Sequence, residues 1–366
     1  MAKNSASNRL DRFRRLLAQK KIPAMMVSGT FNITYLTGFT GDSSYLMVTP
    51  TETAIVSDSR YATQLTQECP QIKSIIKGDS GTTWQAAAEY VNALKLSGLA
   101  VETHIMTKAT YDQVGDLFQP PLLSATGIVE EMRAIKDDEE LARIRHAIRI
   151  NERVFQIIRT QLRGDQTERA VGYALENEMR ALGGEGCAFP PIVGVGPRSA
   201  LPHGGVSDLK IGANPILLID WGTRCNGYVS DLTRILTTGK VPAKYAKIYE
   251  VVRAAQLKAI EKIKAGVDCQ VVDRAARAHI DSAGFGKFFG HGLGHGIGMQ
   301  VHESPYFSPS RKGILAEGMV VTVEPGIYLP ELGGVRIEDD VLVTKDGCEV
   351  LSSLPTDFES TRVELF

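Results

Sequence analysis

Asp220, Asp231, His295, Glu324 and Glu338 are the side chains best suited to share one piece of chemistry, with His203, His291 and His302 near them along the chain. Four carboxylates and one imidazole cannot occupy a cavity as bare anions. Cations must lie between them, and hard, oxygen-preferring divalent ions suit this donor set best. The residue types therefore predict a two-metal hydrolytic site.

Each member also has a plainer reading. Asp220 and Asp231 are eleven residues apart across a tight turn at Cys225-Asn226-Gly227, which places both side chains on one face of a hairpin, although either could be an ordinary strand-end aspartate. Asp220 closes the apolar run Ile216-Leu217-Leu218-Ile219, where an unmatched charge is costly. His291 and His295 alternate with glycine from Gly290 to Gly298, predicting an extended segment with one bare face able to approach a substrate. A single histidine is more often structural than a ligand; two on this ladder, with His302 following, favour function. Glu324 and Glu338 lie in apolar strand patterns and could each pair with an arginine such as Arg336. Beside the two aspartates and His295, metal ligation is the more economical account.

Apolar spacing indicates the elements that position these residues. Leu10, Phe13, Leu16 and Leu17 give a helix over Arg9–Lys20, followed by strands at Ala24–Val27, Tyr45–Val48 and Ala54–Val56, a helix over Trp84–Leu96 and a strand at Leu99–Val101. This alternation predicts an α/β domain over residues 1–128. Residues 129–137 read as a linker, and 138–366 as a second domain of α+β class. There Asp137 or Asp138 caps a long helix carrying Leu141, Ile144, Ile148, Val154 and Ile157, and a helix from Gln166 to Leu182 stops at Gly183-Gly184. Strands follow at Ile216–Asp220 and Tyr228–Leu236, helices at Lys244–Lys264 and Val271–Ala283, and a last hairpin of Met319–Tyr328 with Val335–Val343.

Composition narrows the function. With 366 residues, 43% hydrophobic and 23% charged, the chain can bury the cores of two soluble domains. Lys plus Arg number 41 against 42 Asp plus Glu, so no basic excess argues for nucleic acid or an anionic membrane, and peptides or small molecules are favoured. Cys69, Cys187, Cys225, Cys269 and Cys348 are widely spaced, which speaks for reduced thiols in a cytoplasmic protein. No run approaches the roughly 18 apolar residues of a membrane span. Gly290–Gly298 matches no phosphate-loop pattern, and neither Gly-x-Ser-x-Gly nor His-Glu-x-x-His is present. His104, His146 and His279 read as structural or surface residues.

Asp220-Trp221-Gly222 with Tyr228–Arg234, then His291–His295, Val301–Glu303, Glu324–Tyr328 and Gly334–Asp339, resemble the pita-bread metallopeptidases, in particular the proline peptidases, Xaa-Pro aminopeptidase and Xaa-Pro dipeptidase. Asn32–Phe39 and Asp58–Tyr61 resemble the creatinase-type N-terminal domain, so the likeness spans nearly the whole chain. It implies an α+β pita-bread catalytic domain behind an α/β creatinase-type domain. It further implies that Asp220 and Asp231 hold one divalent ion, and Asp231, His295 and Glu324 another, with Glu338 bridging. Manganese is the first choice, with cobalt, iron or zinc as alternatives. By the same resemblance His203 and His302 contact substrate, His291 and Arg336 lie either on the substrate side or one step behind the ligands, and His203, His302 and Glu324 take part in catalysis. A hydroxide between the ions would attack the carbonyl before proline, Glu324 would relay the proton, and His203 and His302 would donate hydrogen bonds to the oxyanion. The implied partners are short proline-containing peptides and a second copy in a homodimer.

Phe39 or Tyr61 could give the proline an apolar wall, or could be core or dimer contacts. An arginine closing the far end of the pocket would decide between dipeptides and longer peptides, and Arg198 and Arg336 are the candidates. Trp221 stands where the family usually has phenylalanine, Cys225 for a tyrosine, Asn214-Pro215 for Gly-Asp and Gln300 for an acid. None is an expected ligand, so these departures bear on substrate preference. A methionine-aminopeptidase-like exopeptidase usually lacks the first domain, and a non-peptidase binding protein of this fold should have lost ligands that are intact here.

Overall fold

The computed structural model describes the backbone of residues 2–366 and the side chains from Asn8 onward. It divides into two compact units, Met1–Arg133 and Ala134–Phe366.

The first unit is α/β. Its strands β1 (Met25–Val27), β2 (Tyr45–Val48), β3 (Thr53–Ser57), β4 (Lys73–Ile76), β5 (Leu99–Glu102) and β6 (Leu122–Ala125) form one sheet in the order β4-β3-β2-β1-β5-β6. β2 runs antiparallel to both its neighbours, and the other pairs are parallel. The helices are α1 (Ala2–Gln19), α2 (Thr30–Thr37), α3 (Ala62–Glu68), α4 (Thr83–Ala93), α5 (Lys108–Leu117) and α6 (Ile128–Ala134). α1 buries Leu10, Phe13 and Leu17, three positions of the expected stripe. Glu102, buried at the end of β5, accepts the Ser28 and Gly29 amides and so satisfies the start of α2, where Gly29 offers no side chain. Phe39 is fully buried, edge-on to Tyr61 at 5.7 Å, which makes it a core residue of this unit. The stretch 129–137, expected to be a linker, carries most of α6, with Ile128, Val129 and Met132 buried.

In the second unit α7 (Asp138–Gln161) starts at Asp137, which exchanges side chain–amide hydrogen bonds with Glu140. α8 (Glu168–Ala181) gives way to Gly183 at φ 93°. With α9 (Ala243–Ile260) and α10 (Cys269–Ser282) they cover the two faces of β9 (Ile216–Trp221). Leu217, Ile219 and Trp221 pack against Val154, Phe155, Leu175 and Met179, whereas Ile216 and Leu218 belong to the core of Tyr245, Ile248, Val252 and Val272. Burial on both faces is the reason Ile216–Ile219 is an unbroken apolar run. β9 lies between β8 (Ile192–Val195) and β12 (Leu232–Thr237), antiparallel to each.

β7 (Gly186–Cys187), β10 (Thr223–Cys225) and β11 (Tyr228–Val229) make a second small sheet. A third contains β13 (Gly294–Gly296), β14 (Glu303–Phe307), β15 (Val320–Val323), β18 (Asp339–Val343) and β19 (Cys348–Val350), and β16 (Gly326–Leu329) pairs with β17 (Gly333–Arg336) alone.

Both long hairpins expected from the sequence are broken. The first changes sheet at Gly222 and at Ser230-Asp231, because a Cβ on Gly222 would overlap the Ser230 carbonyl oxygen and only glycine allows this approach. Asn226 and Gly227, at φ 50° and 74°, close the tight turn but join only β10 to β11. The second hairpin breaks after Val323, ahead of Glu324-Pro325, and again at Ile337-Glu338. Pro325 has no N–H with which to continue a ladder.

Candidate metal centre

Asp231, Glu324 and Glu338 occupy these breaks, where the backbone leaves one ladder for another. Asp220 remains within β9, opposite Thr233 and on the side of Ile216 and Leu218. His295 sits in β13 where its register against β14 slips. All five line one cavity of about 1130 Å³, together with His203, His291, His302 and Arg336. Donor atoms of Asp231, His295 and Glu338 lie within 4.8 Å of one another. His295 Nε2 is 3.3 Å from Glu324 Oε1 and 3.9 Å from Asp231 Oδ2.

Hydrogen bonds fix how these donors point. His295 Nδ1 lies 3.1 Å from the Gly296 carbonyl, which can only accept, so Nδ1 carries the proton and Nε2 faces the carboxylates. Arg336 donates to Asp220 Oδ2 through Nη2 and, through Nε at 3.0 Å, to the Thr233 hydroxyl, which in turn donates to Glu338 Oε2 at 2.6 Å. One guanidinium thus orients two carboxylates. Its Nη1 also donates to the Tyr328 hydroxyl at 2.9 Å, which donates onward to His291 Nε2 at 2.8 Å, while His291 Nδ1 donates to the Gly292 carbonyl at 2.7 Å. Both nitrogens of His291 are therefore engaged within the protein. His203 and His302, by contrast, are exposed to the cavity.

Arg198 does not close the pocket. It pairs at 2.9 Å with Glu168, which is buried and also accepts the amides of Val195 and Ser207, so the two anchor the loop carrying His203. Arg336, the other candidate for that end, is committed to Asp220. From Gly292 to Gly296 a side chain on the glycine segment would meet neighbouring backbone, whereas at Gly290 it would meet open space. A Cβ on Gly292 would lie 2.6 Å from the Phe307 carbonyl oxygen, and on Gly294 or Gly296 it would overlap the Thr322 or Ser304 carbonyl.

Thr233, Tyr328, Glu168 and Thr322 were not singled out in the sequence. Thr233 and Tyr328 lie inside the resembling segments, which was the available signal; Glu168 has only its place at a helix start. Thr322 holds the His295 amide at 3.1 Å from a neighbouring strand, a relation that no local pattern encodes.

Burial and mutual repulsion push Asp231 and Glu338 far above the usual carboxylate range, and burial raises Asp220 despite Arg336 beside it. Burial also works to raise Glu324, but the hydrogen bond and charge of His295 outweigh it and hold Glu324 at about 2. Burial alone would lower His295, and Glu324 reverses this and raises it. Asp220 Oδ1 is buried with no hydrogen-bond partner among the described residues. A buried set of carboxylates exceeding its cations, with one acceptor atom left open and an imidazole nitrogen turned inward, fits divalent metal.

A family model described as metallopeptidase family M24 matches residues 142–345, and one described as creatinase/prolidase N-terminal domain matches residues 9–135. An uncharacterized peptidase of Bacillus subtilis (strain 168), YqhT, is 37% identical over 95% of this chain and 98% of its own. The solved Xaa-Pro dipeptidase from Bacillus anthracis is 32% identical, with a TM-score of 0.92 over 99% of this chain and 100% of that one. The X-Pro aminopeptidase from Thermotoga maritima MSB8 is 35% identical, with a TM-score of 0.86 over 95% and 99%. No helix among the described residues is long and apolar enough to cross a membrane.

Proposed function

Because the chain belongs to metallopeptidase family M24, we propose that it is an exopeptidase hydrolysing the bond before proline in short peptides. Asp220, Asp231, His295, Glu324 and Glu338 would hold two divalent ions, manganese first. The observation that carries this reading is the buried convergence of Asp231, His295 and Glu338 within 4.8 Å, with Asp220 and Glu324 lining the same cavity. Such ions polarise a scissile carbonyl and lower the pKa of a water.

The side chains do the rest. Glu324 takes the proton of the attacking water and passes it to the departing proline nitrogen, which has no hydrogen in the imide and leaves as a secondary amine. His203 and His302 donate N–H to the carbonyl oxygen as it gains charge. His291 and Arg336 act one step away, keeping Asp220 and, through Thr233, Glu338 in orientation. The substrate's free α-amine, in its unprotonated form, would find a place beside Asp220, which favours removal of the first residue. Phe189, Pro190 and Ile192 of the cavity wall offer apolar contact to a proline ring. The five free cysteines support a cytoplasmic setting, and the family resemblance supports a homodimer.

The test strips the protein of metal, reloads it with Mn²⁺ and measures cleavage of Ala-Pro, a longer Ala-Pro-led peptide and a Met-Ala-led peptide. Metal-dependent release of alanine from either proline substrate supports the proposal, the dipeptide alone indicating a dipeptidase and the longer peptide an aminopeptidase. Cleavage confined to the Met-Ala-led peptide overturns it.

A further inference from the structure

We propose that the buried ion pair of Lys136 and Glu303 positions His302, an inference that rests on the catalytic role given to His302 above. Lys136 Nζ and Glu303 Oε2 are 3.6 Å apart, with side chains 1% and 6% exposed. A buried ion pair is by itself weak evidence for stability and points to another use. Glu303 provides one. Its Oε1 accepts the backbone N–H of Gln300 at 3.0 Å and closes the turn on which His302 sits. Gly298 makes room for it, since a Cβ there would lie 2.7 Å from Glu303 Oε2.

Lys136 is itself fixed. Its amide donates to the Gly318 carbonyl at 2.9 Å, and its Nζ donates to the Ala134 carbonyl at 3.3 Å. Before the turn, the Gly298 and Met299 carbonyls are tied by Val229 and Arg224; after it, Glu303 pairs with Gly296. The His302 ring touches the His295 ring at 4.4 Å between centroids and makes no side-chain hydrogen bond to any described residue. Its place over the cluster is thus set by the backbone on either side, and the Glu303 carboxylate is the strut between them. A misplacement of about 1 Å at such a donor costs on the order of 10²-fold in rate.

The experiment uses the full-length, manganese-loaded protein. Glu303→Ala is expected to lower kcat on Ala-Pro by about 10–100-fold while KM and bound manganese stay at wild-type levels. Adding His302→Ala to Glu303→Ala should bring no further loss, because the histidine is already out of place. Lys136→Met/Glu303→Leu removes the strut and its acceptor without stranding a buried charge, and keeps the test open should Glu303→Ala not fold; it too should lower kcat and be insensitive to His302→Ala. In the same proteins loaded with diamagnetic Zn²⁺, imidazole NMR signals of His302 should broaden or shift in these variants while those of His146 and His279 stay put. The proposal is overturned if kcat stays within about twofold of wild type, if the losses from the Glu303 and His302 changes multiply, if manganese is lost along with kcat, or if the His302 signals do not move. Should the wild type cleave no proline peptide, the proposed function fails and the ring signals alone decide the positioning role.

Discussion

Arg336 is the side chain on which most of the site's geometry converges, because it neutralises Asp220 and reaches Glu338 through Thr233. Arg336→Met leaves a buried aspartate without its counter-ion and is expected to destabilise the protein by about 3–5 kcal/mol, measured by denaturant unfolding. Arg336→Lys should not restore activity, since an ammonium cannot span three acceptors held in the plane of a guanidinium. Asp231 gives the opposite balance between stability and activity. Asp231→Asn replaces a carboxyl that must take up a proton to be buried without metal, so at neutral pH the metal-free variant should melt higher than metal-free wild type, by about 2–4 °C for each kcal/mol relieved. The same variant should bind manganese weakly in calorimetry and turn over no substrate. An unchanged manganese affinity would remove Asp231 from the ligand set.

At the level of elements, much was legible. The helix start at Asp137, the Asn226-Gly227 turn and the two-sided burial of Ile216–Ile219 follow from residue types that act on their immediate neighbours. What the sequence hid was where ladders change partner. Pro325 was the one local mark of a break; the others depend on Gly222 meeting Ser230 and on Glu338 bridging to Thr233, contacts between distant positions. The glycine segment was read as extended, which holds for β13, but its bare face was assigned to substrate when it packs on neighbouring backbone. Gly294→Ala therefore should prevent folding into soluble protein, because the new methyl would overlap the Thr322 carbonyl and crowd its hydroxyl. Gly290→Ala meets open space and should leave melting temperature and turnover near wild type. Equal tolerance at both positions in an expression and melting assay would contradict this packing.

Across the whole molecule, the buried acids make stability a function of pH and metal together. Asp220, Asp231, Glu338 and Asp340 are all raised above the ordinary carboxyl range, chiefly by burial, so without metal they keep protons in the folded state that the unfolded chain has released. Stability of the metal-free protein therefore falls as pH rises from about 4 through those raised values. Glu324, held at about 2, acts the other way, and its contribution is lost only in strong acid. Metal requires the deprotonated carboxylates, so manganese should raise the melting temperature more at pH 8 than at pH 5.5. Scanning calorimetry with EDTA or Mn²⁺ at those two values checks it, and a metal-free melting point that climbs with pH refutes it. The side chains of the acids at the strand breaks line the cavity, whereas the two helix-covered cores are built from apolar side chains. Chemistry and scaffold are consequently separable: on the function proposed above, a single carboxylate-to-amide exchange should yield an inert receptor of native shape, able to capture proline peptides from a mixture and release them intact.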